Sequence, residues 1–158
     1  MSTQIHPRDM SPEEREAFHQ AAEAEVETFK YTKPVPNGRP KQNTWLVRRP
    51  QMQVVIQCVH DGGENNLHYH TNSETTWFVL RGEAEFEGHE GRILARLGPS
   101  EGVVIPGGTR YKFRKLGEGD LEILQMVAIK DPGSGTGDRI NLEAHREWMA
   151  DSPHLQNY

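Results

Sequence analysis

Gly62-Gly63-Glu64-Asn65-Asn66-Leu67-His68-Tyr69-His70-Thr71-Asn72-Ser73-Glu74-Thr75-Thr76-Trp77-Phe78-Val79-Leu80-Arg81-Gly82 is the stretch on which the fold turns. It leaves a glycine turn, carries two histidines separated by one residue, and enters the apolar block Trp77–Leu80 before a second glycine. Leu67–Tyr69 and Thr76–Leu80 read as short strands, since aromatic and β-branched residues lie between turn formers. Side chains two apart on a strand face the same way. His68 and His70 therefore point to one spot as a pair of imidazoles, and neutral imidazole is a ligand for Fe, Zn, Cu, Ni or Mn.

The same texture continues on both sides. From Thr44 to Ile129, β-like runs alternate with Gly, Pro, Asn and Asp turns, at Trp45–Arg48, Met52–Val59, Ala84–Glu87, Ile93–Leu97, Gly102–Ile105, Tyr111–Arg114 and Leu121–Ile129. Many short strands at this spacing predict an all-β sandwich or closed barrel. Trp77-Phe78-Val79-Leu80 and Leu121–Val127 are apolar on both faces, so one face lines the interior and the other needs cover from the N-terminal arm or a partner subunit.

Upstream, Ser11-Pro12-Glu13-Glu14 is a helix start with a capping box and proline in the first turn, and the helix is expected to run to about Val26. Lys33–Pro40 holds three prolines and reads as an extended linker. Downstream, Asp131–Asp138 reads as a flexible loop with no reason to pack, and Asn141 as the cap of a short last helix, Leu142–Met149. The expected organisation is a helix and arm over 1–43, a barrel over 44–130, and a loop, short helix and tail over 131–158.

A chain of 158 residues holds one domain with a sizeable core. The net charge of -5 with scattered Lys and Arg argues against nucleic-acid and membrane-surface partners. No apolar run reaches the roughly 20 residues that span a bilayer. The N-terminus shows no signal-peptide stretch, and the single cysteine, Cys58, has no internal disulfide partner, so a reducing, cytoplasmic location is expected.

The Gly62–Gly82 segment resembles the first sequence motif of the cupin superfamily: a Gly, five residues, His-x-His, a Glu, and a Gly closing a tight turn. Gly62, His68, His70 and Gly82 match it. The second cupin motif, a Gly, then Pro-x-Gly, then a His, resembles Gly102-Val103-Val104-Ile105-Pro106-Gly107-Gly108-Thr109-Arg110-Tyr111, with Pro106 and Gly108 matching. The resemblance covers about Thr44 to Ile129 and implies a double-stranded β-helix (jelly-roll) barrel. It also implies a divalent metal, Fe(II) first and Zn, Mn, Ni or Cu as alternatives, a small-molecule substrate and a homodimer.

Two positions depart from the family pattern. The family Glu falls five residues after the second His and seven before the closing Gly, which is Thr75 here. Glu74, one place early, points away from the metal unless the strand bulges. The motif-two His is replaced by Tyr111. The implied metal set is thus His68 and His70, with Glu74 and Tyr111 as further candidates. Tyr111 reads equally as a ligand, a proton donor, or a filler for the missing imidazole. Gln57 and Gln125 interrupt apolar runs and read either as ligand contacts or as paired core amides. Trp77, Val79, Phe113 and Ile123 are expected to shape an apolar pocket. His60 and His89, near turns, read as surface residues, and Cys58 as a small buried hydrophobe.

The resemblance implies a metal-dependent oxygenase first, a dioxygenase acting on an aromatic or dicarbonyl compound, with Tyr111 or Gln125 positioning the substrate. The alternatives are a non-redox metal cupin (isomerase, cyclase, lyase or hydrolase) and a non-catalytic binding cupin that has lost part of its metal site.

Overall fold

The computed structural model describes residues 6–134 and 138–144. The chain divides into two units, Met1–Lys30 and Tyr31–Tyr158. In the first, helix α1 (Pro12–Ala24) starts at the expected capping box: Ser11 Oγ accepts from the Glu14 amide at 3.2 Å and Glu14 Oε2 accepts from the Ser11 amide at 2.7 Å. It ends two residues before Val26. Within the second unit the proline-rich segment is fixed at several points. Tyr31 Oη donates to Glu122 Oε2 at 2.9 Å, Lys33 pairs with Asp120 and Glu122, and the His60 amide donates to the Pro40 carbonyl.

The second unit is built from strands β1 (Lys41–Arg49), β2 (Met52–Val59), β3 (His68–His70), β4 (Ser73–Arg81), β5 (Glu83–Glu87), β6 (Ile93–Leu97), β7 (Gly102–Ile105), β8 (Lys112–Leu116), β9 (Leu121–Ile129) and β10 (Arg139–Asn141). One antiparallel sheet has the order β1-β2-β9-β4-β7; the others are β6-β5-β8 and β10-β3. A single bridge between His68 and Tyr111, with amide–carbonyl bonds of 3.1 and 2.9 Å, joins β3 to the start of β8. The two smaller sheets thereby continue one another, and the whole fits a jelly roll. The core lies between its faces, around Trp77, Val79, Phe86, Phe113, Leu121 and Ile123.

The strands follow the expected order with shifted ends, β4 for instance beginning at Ser73 and not Thr76, and two further differences bear on the site. β1 begins at Lys41, three residues before Thr44. The 131–138 segment also leads into β10, which pairs Arg139, Ile140 and Asn141 with His70, Tyr69 and His68. Asn141 is therefore a strand residue whose side-chain oxygen accepts from Asn66 and Arg139. The expected helix Leu142–Met149 lies outside the described residues beyond Ala144.

The apolar outer face of the large sheet is partly covered by the proline-rich arm: Tyr31 sits against Cys58, on the face opposite the site. Farther along that face Leu80, Val104 and Met126 stay exposed. Cys58 is 1% exposed and packs as a small hydrophobe. No helix among the described residues is long and apolar enough to cross a membrane.

Candidate metal and ligand site

The register of the large sheet lays its inner face out in rows. Asn43, Gln57, Ile123 and Val79 form one row, Trp45, Val55, Gln125 and Trp77 the next, and Arg48, Gln53, Val127 and Thr75 the third. Arg48 belongs to this face because of a bulge. The register shifts between Trp45 and Val47, so the extra residue Leu46 inverts the alternation that had put Lys41, Asn43 and Trp45 inside. A cavity of about 430 Å³ lies over these rows, closed from the other side by His68, His70, Tyr111, Asp138 and Arg139. That is the volume of a site for a small organic molecule.

His68 and His70 face the cavity together, with ring centroids 5.2 Å apart and planes nearly perpendicular at 89°. Each ring is held by its Nδ1. His68 Nδ1 lies 2.7 Å from the Asn66 carbonyl oxygen, and His70 Nδ1 lies 3.0 Å from Asp138 Oδ1. A carbonyl and a carboxylate can only accept, so both Nδ1 atoms carry hydrogen and both Nε2 atoms present lone pairs. Burial pushes both histidines below their ordinary value, His68 well below, with the Arg139 charge helping and the hydrogen bonds to Asn66 and Asp138 opposing. Both are therefore neutral near pH 7, the form that binds metal. Burial raises the Asp138 carboxyl, but hydrogen bonds from the Asn72 amide and His70 outweigh it and hold the group below its ordinary value as a carboxylate.

Tyr111 is 1% exposed and tilts against His68, with ring centroids 4.5 Å apart. Burial pushes its phenol up to about 12; Trp77, the Arg139 charge and Thr75 offset this only in part. Three buried polar atoms at this site make no hydrogen bond of ordinary geometry among the described residues: Tyr111 Oη, which Trp77 and Thr75 approach without completing one, Trp77 Nε1 and Gln57 Oε1. Buried polar atoms are almost always satisfied, so three on one cavity mark the place of a ligand, an ion or ordered water.

Glu74 does not join the site. β4 pairs with β9 without interruption from Ser73 to Val79, so the bulge that would turn Glu74 inward is absent. Its side chain is 54% exposed and lies 3.9 Å from Lys130 Nζ, while Thr75 takes the inner position. Gln125 lines the cavity and accepts from Gln57 Nε2 at 2.9 Å. Of the four expected pocket walls only Trp77 lines the cavity; Val79, Phe113 and Ile123 pack in the core. His60 sits at the arm, 2.7 Å from Asp120, and His89 is exposed.

Asp138 and Arg139 were not legible as site residues, because β10 is three residues long and follows a Gly/Ser-rich segment. The only trace is the polar–apolar–polar alternation of Arg139-Ile140-Asn141, too short to separate from a loop.

The donor set fits a divalent ion held by two imidazoles. The anchoring of each Nδ1 to a carbonyl or carboxylate is the outer-shell arrangement that orients metal-binding histidines. Among the described residues there is no group of three His, Cys, Asp or Glu that could hold an ion, so a further ligand from these residues is of another type, with Tyr111 Oη the candidate at the same cavity.

A model of the cupin domain family matches residues 55–127. Many solved structures share the fold, among them the following three. An uncharacterized conserved protein with a double-stranded β-helix domain from Klebsiella pneumoniae subsp. pneumoniae is 24% identical, over 70% of this chain and 91% of that one, with a TM-score of 0.58. An RmlC-like cupin protein from Desulfovibrio desulfuricans is 20% identical over 65% and 96% of the two chains, with a TM-score of 0.55. KdgF from Halomonas sp. is 20% identical over 66% and 88%, with a TM-score of 0.51. No curated protein matches the chain. The His-x-His strand, the glycine turn at Gly82 and the jelly-roll sheets agree with the family match, and over residues 55–127 the chain is similar to the cupin domain family.

Proposed function

We propose that the protein is a metal-dependent enzyme that takes a small organic substrate into the His68–His70 cavity, and that its reaction is a dioxygenation. The observation that carries the metal half is the pair of Nδ1 anchors, Asn66 O at 2.7 Å and Asp138 Oδ1 at 3.0 Å, which leave both Nε2 atoms bare on one cavity. Two protein ligands leave open positions for a chelating substrate and O2, and bound Fe(II) would supply the redox chemistry. His68 and His70 would hold the ion, Gln125 and Gln57 would orient the substrate, and the apolar floor beneath Trp77 would exclude water.

A second reading is favoured by Tyr111. Its buried Oη lines the cavity beside His68 as a protonated phenol, a group that can donate a hydrogen bond to a substrate oxygen. This suits a non-redox isomerase, lyase or hydrolase in which the ion acts as a Lewis acid. Oxygen uptake by the iron-reconstituted protein, with catechols, hydroxybenzoates and β-diketones as substrates, separates the two. Uptake coupled to substrate loss supports the dioxygenase; substrate turnover without uptake supports the second reading. The absence of both turnover and uptake removes the enzyme proposal.

A further inference from the structure

The cavity differs in charge from the chain that contains it. The chain carries a formal charge of -5. Yet the cavity is lined by Lys41, Arg48 and Arg139 against one carboxylate, Asp138. With both histidines neutral, the lining is cationic. Asp138 offers little to a ligand, because it already accepts from His70 Nδ1 and the Asn72 amide.

Arg139 is anchored in place, and Arg48 is directed to the cavity from its exposed edge. Arg139 is tied by its Nε to Asn141 Oδ1 at 2.9 Å and by a second nitrogen to Asn66 Oδ1. Arg139 stands opposite His70 in the β10–β3 pairing and lines the same cavity as His68 and Tyr111. Arg48 is turned inward by the Leu46 bulge and lies over the Trp45 ring, 4.2 Å from its centroid. Two of the three unpartnered buried atoms, Trp77 Nε1 and Tyr111 Oη, are able to donate to an oxygen. Fixed cations and unspent donors around an aromatic-walled cavity of about 430 Å³ are complementary to an anionic oxygen ligand the size of a single ring.

We infer that the ligand of this cavity is a small organic carboxylate, held by Arg139 with Arg48 at the mouth. The inference rests on reading the cavity as the ligand site of the proposed enzyme, and adds the chemical class that reading leaves open.

The test is calorimetric titration of the full chain, as purified and after metal reconstitution, with benzoate and its neutral isostere benzamide. Benzoate is expected to bind at least about tenfold more tightly, and to weaken as salt is raised. R139Q should lose about tenfold in benzoate affinity and leave benzamide unchanged. Because Arg139 also ties β10 to Asn66, R48Q is measured beside it; it removes a charge from the mouth without touching those bonds, and a loss of about threefold is expected. Benzamide binding as tightly as benzoate, both variants leaving benzoate affinity unchanged, or no binding of either probe at about 10 mM overturns the inference. Metal content is measured on the same samples. Carboxylate binding without metal keeps this inference and removes the enzyme proposal, whereas metal binding without carboxylate preference does the reverse.

Discussion

Asp138 Oδ1 lies 3.0 Å from His70 Nδ1, across 68 residues of sequence. The contact gives a carboxylate from the C-terminal segment control over which nitrogen of His70 faces the cavity. Loss of such an outer partner commonly lowers metal affinity about 10–100-fold. D138A is expected to show a fall of that order in competition with a chromophoric chelator while keeping the circular dichroism of the native sheets. Unchanged affinity would mean that Asp138 does not orient the ligand.

The buried histidines also set an acid limit on stability. Their folded-state pKa values lie below the ordinary value, so the unfolded chain binds protons that the folded chain resists. Stability of the metal-free protein is therefore full above about pH 6.5 and declines below it, until the folded-state values are reached. Melting temperature followed from about pH 7.5 down to 5 should fall, and H68N should flatten the fall. A slope identical in H68N would show that His68 titrates freely.

Tyr111 separates a ligand from a proton donor. Y111F is expected to retain metal and fold, and to lose about 10²–10⁴ in turnover if the phenol delivers a proton. Loss of metal instead, together with loss of a visible phenolate–iron charge-transfer band in the wild-type protein, would make Tyr111 a ligand. Turnover equal to wild type would make it a filler.

Gly82 joins β4 to β5 with φ +81°, and a Cβ there would lie 2.6 Å from the Asp120 carbonyl oxygen. G82A should therefore cost about 1–3 kcal/mol in urea unfolding. Gly91 has a similar φ of +74° with nothing within 4 Å, so G91A isolates the conformational part and should cost less. Equal costs would show that the Asp120 contact is relieved without strain.

The strands and the His68–His70 pair were legible because both rest on local alternation, which a sequence displays directly. Glu74, one of the candidate ligands, needed a bulge to turn inward, and Ser73–Val79 pairs with β9 without interruption, so the alternation leaves it on the outer face. What stayed hidden depended on partners far along the chain. Asp138 and Arg139 acquire their roles only when β10 pairs with β3, and Arg48 only through a bulge at Leu46 whose apolar residues carry no turn signal. Val79, Phe113 and Ile123 were misplaced as pocket walls because alternation gives the inner face but not how deep along the strand the cavity ends.

The central claim is that His68 and His70 hold a divalent ion. Untagged protein, H68A and H70A, each reconstituted anaerobically with Fe(II) and desalted, are compared by elemental analysis. The account predicts about one ion per wild-type chain and below about 0.2 in each variant, with the variants still folded. Wild-type protein below about 0.2, or variants that keep their metal, would contradict it.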